Sequence, residues 1–167
     1  MTINKVCDLL RSEFINNGYE YGFYLDGRRY TPDKSLGFDR EYLRLSETIY
    51  RVQNPCDTKR ERLGTCIDTC LLIKSLLAEK NICTKIWLIC HRERKSVHTI
   101  PTFEAEGKIV YLELTPESKK PWYGKEIIYS SEEEFLSAFD NDGFDIFEVT
   151  LDIIVGETPE FLLSHTR

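Results

Sequence analysis

Residues 66–80 constrain this chain more than any other stretch. Ile67, Cys70, Leu71, Leu72, Ile73, Leu76, Leu77 and Ala78 make the predicted helix apolar almost all round, with Asp68, Thr69, Lys74, Ser75 and Glu79 interrupting. A helix without a polar face belongs in the middle of a domain. Its start is marked by Thr65 as N-cap with Asp68 three positions on, the pattern of a capping box. Asn81 is placed to close it. A chain of 167 residues, 41% hydrophobic, can wrap one core around such a helix, so residues 1–167 read as a single domain.

The flanking segments supply the wrapping. A first helix is expected over residues 3–16, with Ile3, Val6, Leu10 and Phe14 on one face. An aromatic hairpin over 19–30 turns at Asp26-Gly27, and residues 31–37 form a loop. A second helix over 39–52 stops before Asn54-Pro55. Beyond the central helix, strands are expected over 83–90, 97–105 and 108–114, the last two joined by Glu106-Gly107. A helix capped by Ser130 or Ser131 runs to about Phe139. Residues 144–155 read as a strand, since Phe147, Val149, Leu151 and Ile153 alternate with more polar neighbours. The sum is an α+β domain, a central buried helix packed on a mostly antiparallel sheet. Pro101 lacks an N–H, so its strand is expected to be an edge or to carry a bulge.

The net charge of −6 argues against a nucleic-acid partner, and the short basic runs Lys59-Arg60-Glu61-Arg62 and Arg92-Glu93-Arg94-Lys95 each contain an acid. No apolar run is long enough to span a bilayer, and residues 1–17 read as an amphipathic helix instead of a secretory signal. The expectation is a cytoplasmic protein whose six cysteines stay reduced, most of them as small buried hydrophobes.

Cys66 stands apart from the other five. The first turn of a helix carries unpaired N–H groups and the positive end of the dipole, which favour a thiolate. Gly64 ahead of the cap permits close approach, and the Cys66 N–H could hold an oxyanion. A nucleophilic thiol needs a base, and the base needs an orienting acceptor. If Glu106-Gly107 is a two-residue turn, Ala105 pairs with Lys108 and Ile100 lies opposite Glu113. His98 and Glu113 are then diagonal neighbours on one face, whereas a three-residue loop would separate them. Cys70 reads as core, Asp68 as a capping residue, His91 as solvated, and His165, near the C-terminus, as mobile. Trp122 and Tyr123 could line a cleft, with packing on the sheet the better reading.

The segment Leu63-Gly64-Thr65-Cys66-Ile67-Asp68 resembles the nucleophile motif of the transglutaminase-like superfamily, a papain-related fold. Val97-His98-Thr99 and Leu112-Glu113-Leu114-Thr115-Pro116 follow at fitting distances. Tyr50-Arg51-Val52-Gln53-Asn54-Pro55 resembles a segment of small bacterial members, and the likeness covers roughly residues 19–139. It implies a Cys66–His98–Glu113 triad acting on an amide bond of a peptide or protein through a thioester, without a cofactor or metal. It also implies oxyanion or substrate-lining roles for Gln53, Tyr50 and Trp122. Many members carry Asp where this chain has Glu113. Two rivals stand beside this reading. One is a catalytically inactive binding domain on the same fold. The other is a zinc module drawing on Cys66, Cys70, Cys83, Cys90, His91 and His98.

Overall fold

The computed structural model describes residues 1–162, so His165 lies outside the described residues. Helix α1 (Ile3–Phe14) is capped by Thr2 and turns Ile3, Val6, Cys7, Leu10 and Phe14 inward. Strand β1 (Glu20–Tyr21) leads into a hairpin of β2 (Phe23–Leu25) and β3 (Arg28–Tyr30). Its turn residues Asp26 and Gly27 both take positive φ, as a two-residue hairpin with right-handed strand twist requires. A short 3₁₀ turn at Lys34–Leu36 precedes α2 (Arg40–Thr48).

The second helix differs from the expectation. It ends at Thr48, and a separate α3 (Pro55–Glu61) follows. Asn54-Pro55, read from sequence only as a stop, is also a start. The Asn54 side chain accepts the Cys56 N–H at 2.9 Å and Pro55 takes the first helical position. Arg62 then turns the chain in a left-handed conformation into β4 (Leu63–Gly64), which pairs in parallel with β1.

Helix α4 (Cys66–Ala78) starts where the sequence placed it, and both halves of the Thr65–Asp68 capping box form. The Asp68 carboxylate does more than cap. Oδ2 accepts the Thr65 N–H and hydroxyl, each at 3.0 Å; Oδ1 accepts the Gln53 N–H and the Tyr50 hydroxyl, each at 2.8 Å. Asp68 is 0% exposed, so these donors replace the water it has lost. At the other end Asn81, at positive φ, closes α4 while the Ile82 N–H reaches back to Leu77 O.

The remaining strands are β5 (Thr84–His91), β6 (Val97–Ala105), β7 (Lys108–Leu112), β8 (Glu126–Tyr129) and β9 (Phe144–Glu148). They form one antiparallel five-stranded sheet in the order β8-β7-β6-β5-β9. Helices α1 and α4 supply the core on one face, packing with Phe103, Ala105, Val110 and Leu112. Helix α5 (Glu132–Asn141) covers the other, with Phe135 against Trp87 and Tyr129.

Two strand expectations need correction. Pro101 lies on β6, an interior strand and not an edge. Ile86, opposite it, turns its own N–H and C=O away towards Thr150 and Val149, so position 101 directs its nitrogen to the β7 side. The β6–β7 ladder ends at Thr102–Tyr111, one residue short of position 101, which has no N–H with which to extend it. Strand β9 ends at Glu148 instead of continuing to 155. Val149 and Ile153 pack inward and Leu151 is 91% exposed, but the chain turns after Val149, with the Asp152 N–H bonded to Val149 O, so no strand continues. Among the described residues no helix is long and apolar enough to cross a membrane.

The buried carboxylate sets a stability test. Asp68→Ala strands four donors and should cost about 3 kcal/mol or more. Urea denaturation should show it as a lower midpoint with an unchanged slope.

Candidate active site

The site forms at one end of the sheet, where β6 begins and β7 ends. Register puts it there. Glu106 and Gly107 both take positive φ and form a two-residue turn, so Ala105 pairs with Lys108 and Thr102 with Tyr111. Continuing that count sets His98 and Glu113 on the α5 face as diagonal neighbours. Their contact is direct: His98 Nε2 lies 2.8 Å from Glu113 Oε2.

Glu113 is 1% exposed and meets three hydrogen-bond partners. Oε2 also accepts the Tyr111 hydroxyl at 2.7 Å, and Oε1 accepts the Thr115 N–H at 2.9 Å. Lys120 Nζ stands 3.6 Å from Oε2. Burial by itself raises the carboxyl pKa; the His98 hydrogen bond and charge, the Tyr111 hydroxyl and Lys120 outweigh it. Glu113 is therefore held well below the usual carboxylate range and stays ionised. With Nε2 bound to it, Nδ1 is the ring nitrogen left for a second partner.

Cys66 is the group near enough to interact with the His98 ring. Burial pushes its thiol up, but hydrogen bonding and charge from His98, then the N–H and hydroxyl of Thr99, bring it below its ordinary value. The Thr99 hydroxyl is buried and has no nitrogen or oxygen partner among the described residues. His98 responds in the opposite direction. Burial lowers its pKa, whereas Cys66 and Glu113 raise it, to about 9. The arrangement favours a thiolate–imidazolium pair backed by a carboxylate.

The other expected residues have different employment. Gln53 donates both amide hydrogens, to Thr58 Oγ1 at 3.0 Å and Leu63 O at 2.9 Å, and accepts the Tyr24 N–H at 2.5 Å. Tyr50 gives its proton to Asp68 and lies 2.9 Å from the Thr65 hydroxyl. Both side chains build the floor beneath Cys66, and neither has a donor left for an oxyanion. Gly64 serves the same floor: a Cβ there would come within 3.1 Å of Thr58 Cγ2 and 3.2 Å of Asp68 Cβ. Trp122 is 37% exposed and not packed in the core. Its Nε1 donates to the Tyr111 hydroxyl at 3.3 Å, which ties it to Glu113 through one intermediate. Tyr111 and Lys120 are contributors that sequence reasoning missed. Tyr111 shares the face of Glu113 two residues earlier, a signal the alternation of β7 contained.

Two cavities flank the site. One, of about 710 Å³, separates residues 32–39 from residues 115–121. The other, of about 600 Å³, lies on the α5 face. His98 and Lys120 line both. Cys66 is 9% exposed and lines neither. Tyr21, on the wall of the first cavity, lies near enough for a Cys66 thiolate to raise its phenol, after burial. Tyr42 is affected in the same way, after burial and Asp68. These two rings, 6.1 Å apart, accompany the thiol on the α2 side.

The six residues of the zinc alternative do not gather. Cys70 is buried with its thiol 3.5 Å from Thr99 O, Cys83 is exposed, and half-buried His91 sits with one ring edge against Phe144 at 5.0 Å. Among the described residues no three His, Cys, Asp or Glu side chains are grouped to hold a metal ion. All six cysteines are free; Cys7, Cys66 and Cys70 are buried, Cys90 is half-buried, and Cys56 and Cys83 are exposed. Protein-family models, curated proteins and solved structures were compared with the chain, and none matches.

The ion pair has a pH signature. Alkylation of Cys66 by iodoacetamide, mapped by mass spectrometry to separate it from Cys56 and Cys83, should persist at pH 6, where an ordinary thiol is protonated. In His98→Ala the same reaction should shift to alkaline pH, because burial then acts on the thiol without its counter-charge. The raised His98 pKa also stabilises the fold. That contribution is complete below about pH 6.5, the unfolded value, and is lost as pH rises through about 9. The difference in unfolding midpoint between wild type and His98→Ala, followed from pH 6 to 10, should shrink accordingly.

Proposed function

We propose that this chain is a cysteine-dependent acyl-transfer enzyme of the transglutaminase-like, papain-related kind, acting on an amide bond of a peptide or protein. One observation carries the reading: a thiol at a capped helix start faces a histidine whose far nitrogen is held 2.8 Å from a buried carboxylate. Nucleophile, base and orienter in that order form a catalytic constellation. The α+β arrangement of a central helix against an antiparallel sheet is consistent with it.

The chemistry follows from the geometry. The Cys66 thiolate attacks the amide carbon, and the carbonyl electrons move onto oxygen. The N–H of Cys66, in the first turn of α4, is available to that oxyanion. The His98 imidazolium passes its Nδ1 proton to the amide nitrogen as the C–N bond breaks, leaving a thioester and a free amine. Neutral His98 then takes a proton from water, or from an acceptor amine, as it attacks the thioester. Collapse returns the thiolate and the imidazolium. Glu113 stays ionised throughout, fixes the ring and offsets its charge, the part a buried carboxylate performs in a triad.

A second reading, an inactive binding domain, is favoured by the shielding of Cys66 beside Tyr21 and Tyr42. One experiment separates them. Incubation with p-nitrophenyl acetate should leave an acetyl group on Cys66, seen by intact mass and peptide mapping, and none on the Cys66→Ala protein. His98→Ala should slow the acylation by about 10²–10⁴, and Glu113→Gln by less. Acetylation spread evenly over the exposed cysteines, or none at all, would favour the binding domain.

A further inference from the structure

Cys66 is almost closed off from solvent and lines neither cavity, so whatever covers it controls its chemistry. Part of that cover is Tyr42 of α2, which packs into the cluster that holds Cys66, Phe23 and Ile67. Its ring stands 6.0 Å from Phe23 and 6.1 Å from Tyr21. Tyr42 belongs to a segment unlike the rest of the fold. None of residues 31–49 is buried, and Leu36, Phe38 and Leu43 are turned to solvent. The capping bonds of Asp33 and Asp39 stay inside the segment. Its ends are fixed, Tyr30 by stacking on Phe23 at 4.8 Å and Tyr50 by its hydroxyl on Asp68. A stretch with few buried apolar contacts between two fixed ends opens locally at low cost.

Partial packing of Tyr42, Leu45 and Ile49 holds the inner side of the segment. Its polar hold comes from one residue. Among the described residues, one ion pair links 31–49 to the rest of the domain, and it joins Lys34 to Glu117, both on the wall of the first cavity. The other oxygen of Glu117 accepts the Tyr21 N–H at 3.4 Å, and Tyr21 pairs with Gly64, two residues ahead of Cys66. Glu117 occupies the third position of the turn Thr115–Ser118, which the Ser118 N–H closes on Thr115 O at 3.1 Å, and its φ is 62°. A turn position at positive φ favours Gly or Asn, so the backbone gains nothing from a glutamate there; its side chain is what reaches Lys34 and Tyr21. The closed state also carries a cost. The Tyr42 hydroxyl is buried with no hydrogen-bond partner among the described residues, and water would satisfy it on opening. The unmet donor favours release, and the Glu117 contacts oppose it.

We infer that residues 31–49 form a cover over Cys66 that opens to admit substrate, and that Glu117 is its latch. The inference rests on the acyl-transfer reading above for its purpose, since what the cover closes is the nucleophile. Access to the thiol is then set by an exposed ion pair at the seam between residues 32–39 and 115–121, and it responds to ionic strength.

Two readouts test this without turnover. In Glu117→Gly and in Lys34→Gln, amide hydrogen exchange over residues 31–49 should rise about two- to fivefold, as loss of an exposed ion pair allows, while α4 and the five-stranded sheet exchange as in the wild type. The plateau rate of Cys66 alkylation by iodoacetamide, mapped by mass spectrometry, should rise by the same factor with its pH midpoint unmoved, because the His98 pair is untouched. In about 0.5 M NaCl the wild type should approach both variants. Glycine suits the left-handed turn, so Glu117→Gly should keep its unfolding midpoint within about 4 °C of the wild type. A rise in only one of the two readouts, or in neither, would overturn the cover and leave the reaction standing. A shifted pH midpoint would place Glu117 in the chemistry of the thiol and overturn the latch. A rise in both, with no acetylation of Cys66 by p-nitrophenyl acetate in wild type or variant, would uphold the cover and sink the acyl-transfer reading.

Discussion

The buried carboxylate of Asp68 fixes where α4 begins, and the candidate site is positioned from that point. Two of its donors come from Thr65 within the capping box, and two from Tyr50 and Gln53 in the segment between α2 and α3. Gln53 extends the tie to Tyr24, Thr58 and Leu63. A charge taken out of water is tolerable only when it is fully met by donors. Here that requirement fastens the hairpin, α3 and β4 to the first turn of the central helix. Cys66 is held by this floor without touching Asp68's function as a cap.

A second buried carboxylate plays the matching part for the histidine. Glu113 accepts from His98, Tyr111 and Thr115 and has Lys120 nearby. The two acids differ in their surroundings. Asp68 meets neutral donors only, and burial leaves its pKa raised. Glu113 faces the imidazole and an ammonium, and is driven far the other way. One acid sets geometry; the other sets geometry and charge. Cys66 at the start of α4 and His98 near the start of β6 come from separate elements, and each has its own anchor, the Asp68 floor for one and Glu113 for the other.

Much of this could be read from the sequence, because the informative signals were local. Thr65 and Asp68 are three residues apart, and a capping box involves no distant partner. The two-residue turn at Glu106-Gly107 fixed the register that brings His98 to Glu113, although these residues are 15 apart. What escaped depended on tertiary partners. Asn54-Pro55 ends one element and starts another, and only the short α3 between two turns reveals the second role. Strand β8 has four residues and no alternation of its own; it exists because β7 offers an edge. The alternation over 149–155 does bury Val149 and Ile153, but the chain turns after Val149 and no strand edge pairs with it. Gln53 and Tyr50 lie beside the first turn of α4, but which atoms their polar groups satisfy depends on Tyr24, Thr58, Leu63 and Asp68, and sequence spacing links most of these to them only weakly.

The central claim is that Cys66 and His98 form an ion pair backed by Glu113, and the protonation of one ring reports it most directly. An NMR titration of the His98 imidazole should give a pKa raised to about 9 in the wild type. It should fall in Cys66→Ser and again in Glu113→Gln, since burial alone works against the charged ring. A wild-type His98 titrating at or below the ordinary value of about 6.5, and indifferent to both substitutions, would contradict the account.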